Sequence, residues 1–158
     1  MKGLIIYDSV WGNTEKVALT MGAALLAGKA QVQTLRAADV KPEHLAGLDF
    51  IIAGSPTQKF TALPAIKKLL DGLPAGSLAG LRAAAFDTRI DVDDINSSVG
   101  RFFVGKFGYA AKPLLDRLVK KGAKATLPPE GFFVTGSEGP LKEGEPERAA
   151  AWAVRVLQ

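Results

Sequence analysis

Cysteine is absent from the 158 residues, and histidine occurs once, at His44. The first absence excludes disulfides, thiolate catalysis and cysteine-held zinc or iron–sulfur sites. The second excludes a Ser–His–Asp arrangement and leaves little for a transition-metal centre. His44 falls in a connector, where surface or cap duty is its expected role. No apolar run reaches the length a membrane helix needs, so no membrane span is expected. Acidic residues are the minority, 16 against 20 basic, but the net charge of +4 is mild and spread along the chain. Nucleic-acid binders carry a denser basic stripe with aromatics interleaved, so no nucleic acid is expected as a partner. Neither a Walker A motif nor a Gly-x-Gly-x-x-Gly fingerprint is present, which argues against a nucleotide diphosphate ligand. Asp91, Asp93 and Asp94 cluster without the glycine and glutamate of a calcium loop, so they are expected to be solvated and no metal site is expected.

What is there is a soluble, globular composition, with 47% hydrophobic and 23% charged residues. The length suits one domain spanning residues 1–158. Met-Lys-Gly enters a strand directly, which makes a cytoplasmic location the expectation.

Strands and helices alternate along the chain. Gly3–Asp8 is an apolar run of the kind buried on both faces of a parallel sheet. Asn13 to about Ala27 is a helix with Val17, Ala18, Met21 and Leu25 on one stripe. Ala30–Leu35 is a second strand and Asp49–Ala53 a third. A helix is expected over Ala62–Leu70, and a fourth strand, rich in small residues, over Leu81–Phe86. A long loop is expected from Asp87 to about Lys106, then a helix over Phe107–Lys121. Lys124–Leu127 and Gly131–Thr135 make a fifth strand in one or two pieces, and Glu145–Leu157 is the last helix, with Trp152 in the core. This order predicts an α/β doubly wound sandwich: a five-stranded parallel sheet with helices on both faces.

Ligands of such sheets bind at the carboxyl ends of the strands. The turn after the first strand, Ser9-Val10-Trp11-Gly12-Asn13-Thr14, brings hydroxyls and backbone N–H groups to a helix N-terminus, where an anion is favoured. Without a lysine or arginine inside the turn, it suits a single phosphate monoester. The same residues also read as a plain helix cap by Asn13 or Thr14. The loops at Ser55–Phe60 and from Asp87 lie on the same edge. Phe102, Phe103 and Phe107 read equally as core or loop packing or as ligand or partner surface.

These three loops together resemble the flavodoxin family. Ser9–Thr14 is similar to its phosphate loop, Gly54-Ser55-Pro56-Thr57 to its second flavin loop, and the segment from Asp87 to its third. The resemblance runs the length of the chain and implies FMN as cofactor. It implies that Ser9, Gly12, Asn13 and Thr14, with the backbone of Val10 and Trp11, bind the phosphate. Ser55, Pro56 and Thr57 would line the ring and ribityl chain, Gln58, Lys59 and Phe60 would flank the ring, and Asp87, Thr88 and Arg89 would meet its pyrimidine end. Trp11 stands where the family has threonine, Phe60 is the nearest aromatic to the stacking tryptophan of the second loop, and the chain is basic where the family is acidic. The implied function is one-electron transfer between redox partner proteins, here partners with an acidic docking face and with no catalytic residue of the chain's own. An FMN-dependent oxidoreductase of quinone or protoporphyrinogen type, and a flavin-less binding module, are the alternatives.

Overall fold

The structure, a computed structural model, describes all 158 residues. Its sheet has the order β2-β1-β3-β4-β5, built from β1 (Lys2–Tyr7), β2 (Gln31–Arg36), β3 (Phe50–Pro56), β4 (Arg82–Ile90) and β5 (Lys124–Ala125). A sixth piece, β6 (Glu130–Val134), continues the β5 edge, and every strand pairing is parallel. Ala83 faces Ala125 and Phe86 faces Glu130, so Ala84 and Ala85 lie opposite four residues, Thr126–Pro129. Pro128 and Pro129 have no N–H to give the ladder, and the strand breaks there.

The sheet is covered on both sides, and successive strand residues feed opposite cores. Leu4, Ile6, Ile51, Ala53, Ala83 and Ala85 pack under α2 (Pro64–Gly72) and, beyond the next helix, α4 (Ala111–Lys120). Ile5, Tyr7, Phe50, Ile52, Ala84 and Phe86 pack under α1 (Asn13–Ala27) and α5 (Glu145–Val154). The expected stripe of α1 is buried, as are Leu114, Leu115 and Leu118 of α4 and Trp152 of α5. Phe86, Phe132 and Trp152 meet edge to face with centroids 6.0–6.4 Å apart.

Three expectations are corrected at and after the fourth strand. β4 does not stop at Phe86 but runs to Ile90, so Asp87, Thr88 and Arg89 are strand residues. Their polar side chains are accommodated by partners from other elements, described below. The long loop from Asp87 to Lys106 is not a loop throughout: α3 (Ser98–Phe107) occupies half of it, with the Ser97 hydroxyl accepting the Gly100 N–H at 3.2 Å. The helix expected over Phe107–Lys121 is divided. Gly108, at φ 71°, separates α3 from α4.

Candidate functional site

A cleft of about 390 Å³ opens at the carboxyl ends of β1, β3 and β4. Ser9, Val10, Trp11, Asn13 and Thr14 form one wall, Pro56–Lys59 a second, and Thr88–Ile90 the floor between them. Val134 and Ser137 close the far side.

The first wall is a turn braced from below. Arg36, at the end of β2, lies beside Tyr7 in register. It donates through Nη1 to Asp8 Oδ1 (3.1 Å) and the Ser9 carbonyl (3.0 Å), and through Nη2 to Glu15 Oε2 (2.7 Å). Ser9 accepts the Gly12 N–H on its hydroxyl at 3.0 Å. Gly12, at φ 90°, occupies the cap position of α1 without a side chain to cap it. The plain-cap reading therefore fails: Asn13 is the first helical residue, and its amide instead donates to the Glu138 carbonyl at 3.0 Å. The backbone N–H groups of Val10, Trp11, Asn13 and Thr14 have no partner within the protein. Trp11 is turned outward and is 54% exposed, so its bulk does not fill the turn.

Thr14 is buried, and its hydroxyl shares a 2.7 Å hydrogen bond with that of Thr88. This bond ties the first turn of α1 to β4. On the opposite face of β4, the Asp87 side chain is fully buried. It accepts Arg89 Nε at 2.5 Å and Nη2 at 2.7 Å, and the Ala111 N–H at 2.8 Å. Burial pushes the Asp87 carboxyl above its ordinary range, against the pull of Arg89 and the Ala111 N–H. Arg89 lies 3.6 Å from the centroid of the Tyr109 ring. It thus reaches the cleft with a carboxyl already on one edge of its guanidinium.

Four of the expected site residues lie outside the cleft lining. Ser55 is fully buried; its hydroxyl donates to the Pro56 carbonyl and accepts the Leu63 N–H, both at 2.9 Å. Gly12 and Asp87 act behind the walls. Phe60 turns away and packs against Phe103 (6.1 Å) and Phe107 (5.7 Å) of α3. Ser9, Val10, Trp11, Asn13, Thr14, Pro56, Thr57, Gln58, Lys59, Thr88 and Arg89 do come together around one cleft. Ile90, Val134 and Ser137 were missed, as was the brace by Arg36. The strand-edge rule that marked the other loops also applies to the loop after β6, and it points to Ser137. No group of metal-ligating side chains occurs, Asp91 and Asp94 being drawn to Lys142 at 3.7 and 2.6 Å.

No family model matches the sequence, and no curated protein matches it. Solved structures do match. A flavodoxin from the domain Archaea superposes with a TM-score of 0.78 at 20% identity, covering 99% of this chain and 96% of that one. The chain has the flavodoxin fold. Flavodoxin 2 from Bacillus cereus gives 0.76 at 23% identity, with 99% and 98% covered. The rubredoxin oxygen:oxidoreductase of Desulfovibrio gigas gives 0.75 at 21% identity; the match covers 98% of this chain but 35% of that one. The flavodoxin-like order 2-1-3-4-5 places the strand-order reversal between β1 and β3, directly beneath the cleft. No helix is long and apolar enough to cross a membrane.

Proposed function

We propose that the cleft binds FMN, with its phosphate in the Ser9–Thr14 turn, and that the protein passes single electrons between partner proteins. The observation that carries this reading is the set of four unpaired backbone N–H groups, at Val10, Trp11, Asn13 and Thr14, in one turn of the cleft wall. Neutral donors fixed in a tight turn at a helix N-terminus suit a phosphate monoester. The Ser9 hydroxyl, already accepting from Gly12, keeps its own proton to donate. Pro56, Thr57, Gln58 and Lys59 offer the side wall for the ring and ribityl chain, and Arg89 offers a held cation at the floor. FMN, when bound, supplies the electron chemistry; the chain's residues bind it, orient it and set the local charge.

The partner is proposed to present an acidic face. Lys59 on the cleft wall, and Arg101 and Lys106 on α3, which holds no acidic residue, support this, as does the net charge of +4. Attraction of this kind raises encounter rates and weakens with salt.

Visible absorption during titration with FMN tests the cofactor. The expected result is saturable binding at one FMN per chain, with the flavin spectrum perturbed. A protein that stays colourless after loading and gel filtration overturns the reading and leaves the flavin-less module. For a holoprotein, electron delivery to acidic acceptors that slows with ionic strength is the expected partner behaviour.

A further inference from the structure

α3 adds nothing to either core of the sheet. None of its ten residues is buried, and Val99, Phe102 and Phe107 are 61%, 64% and 54% exposed. We infer that this helix is a docking surface for an anionic lipid bilayer. It would lie among the headgroups with its phenylalanines turned toward the acyl chains. The inference rests on α3 and its surroundings, and holds whether or not the cleft takes FMN. An acidic protein and a second copy of the chain are the competing occupants, and two grounds favour the bilayer.

The first ground is the pattern of the helix. Gly100 and Val104, half-buried, mark its inward side. Projected down the helix axis, Phe102, Val99, Phe103 and Phe107 fall within one arc of about 140°, and Lys106 lies inside it. Lys106 Nζ stands 5.6 Å from the centroid of the Phe107 ring, so the lysine stem runs beside the aromatic residues. A bilayer surface accepts this arrangement, because the stem can lie with the rings while the ammonium reaches the phosphates. A protein pocket that received the same rings would have to bury that ammonium or supply its partner, and the centres of protein interfaces are poor in charge.

Charge is the second ground. α3 carries Arg101 and Lys106 and no acidic residue. Arg101 donates only to carbonyls, those of Ile95 (2.8 Å) and Asp93 (3.3 Å), so its charge is not offset there. Lys59, which lines one pocket with Val104 of the helix, adds a further cation. Of the carboxylates before the helix, Asp91 and Asp94 are drawn to Lys142 at 3.7 and 2.6 Å, which leaves Asp93 against Lys59, Arg101 and Lys106. A second copy docked helix to helix would set these cations against their like with no acid between them, whereas anionic headgroups attract them. A helix of ten residues is also marginal in water, and burying its apolar arc in a bilayer would stabilise it.

The test sediments the full chain with vesicles of phosphatidylcholine alone and of phosphatidylcholine mixed with phosphatidylglycerol. Saturable binding to the mixed vesicles is expected, at least about tenfold tighter than to phosphatidylcholine alone and weakened by salt. Bound vesicles should shield the bonds after Arg101 and Lys106 from trypsin. Phe102→Ser removes the most exposed ring of the arc and should weaken vesicle binding about tenfold or more. Lys106→Glu reverses one charge and should do the same if the serine variant misfolds. Leu19→Ser, at a comparably exposed position on α1, should change nothing. Absence of sedimentation with either vesicle, full trypsin cutting in the bound state, unchanged binding in both α3 variants, or an equal loss in Leu19→Ser each overturns the inference. So does a dimer in sedimentation velocity that Phe102→Ser dissolves, which assigns the face to a second copy. Binding of poly-glutamate that depends on Phe102 while vesicles stay unbound assigns it to an acidic protein and overturns the inference too. A chain that binds the mixed vesicles but not FMN supports the docking surface and refutes only the flavin reading.

Discussion

Arg89 crosses directly over Gly131, at a point where a β carbon would stand 2.2 Å from Nε and 2.3 Å from Cζ. The same solution recurs in the sheet: Phe50 lies over Gly3 and Phe86 over Gly54, each on the paired residue of the neighbouring strand. Gly131→Ala is therefore expected to push Arg89 off Asp87 and leave a buried carboxyl with one partner fewer. The expected loss is about 1–3 kcal/mol, read from urea unfolding. An unchanged midpoint would show that the guanidinium is not held there.

The Thr14–Thr88 pair predicts a non-additive mutant series. Thr88→Val leaves the buried Thr14 hydroxyl unpaired and should cost about 1–3 kcal/mol. Thr14→Val does the converse. The double variant removes both hydroxyls while keeping their volume, so it should lose less than the two single losses added together. Strict additivity in a double-mutant cycle would mean that the bond does not form in solution.

Acid sensitivity should trace in part to Glu145. Burial pushes its carboxyl up, but hydrogen bonds from Arg148 and the Phe133 N–H, and the charges of Arg148 and Lys142, outweigh this and hold it below its ordinary value. Arg148 also reaches Glu130 and the Gly131 carbonyl, joining α5 to β6. A carboxyl depressed on folding stabilises the protein above its unfolded pKa of ~4.3, and that contribution is lost as pH falls through the folded value. Glu145→Gln should accordingly lower the Tm at pH 7 and flatten its fall below about pH 4.5. Parallel Tm–pH curves for the variant and the parent would count against this.

The two tryptophans divide the fluorescence cleanly. Trp11 is 54% exposed on the cleft wall, whereas Trp152 is 4% exposed in the core, with an indole N–H that finds no partner. Trp11→Phe should shift emission to shorter wavelength and change stability by no more than about 0.5 kcal/mol. FMN bound in the cleft should quench Trp11 more than Trp152. Equal quenching in the parent and Trp11→Phe would place the flavin elsewhere.

Most of the fold was legible because apolar runs and helical stripes report burial directly. Leu4–Ile6, Phe50–Ala53 and the α1 stripe needed nothing further. The extension of β4 was not legible, because Asp87, Thr88 and Arg89 read as a polar loop until Ala111 and Thr14 are brought to them from other elements. α3 escaped for a different reason: Val99, Phe103 and Phe107 stand four residues apart, but the helix buries no residue, and Gly100, Gly105 and Gly108 punctuate the segment as a loop would be. At the site, the three loops were visible because their residues are consecutive. Arg36 was not, because only the β1–β2 register brings it to Asp8 from 28 positions away.

That unburied helix has a consequence for how the chain comes apart. Val99, Phe102 and Phe107 are each more than half exposed, and α3 is only ten residues long. An isolated helix of that length barely holds in water, so its opening free energy should lie far below that of the sheet. Trypsin should make its first cuts after Arg101 and Lys106, while the six-stranded sheet stays protected. The nicked protein should still migrate as one body, its two large fragments clasped along β4 and β6, and would come apart only in denaturant.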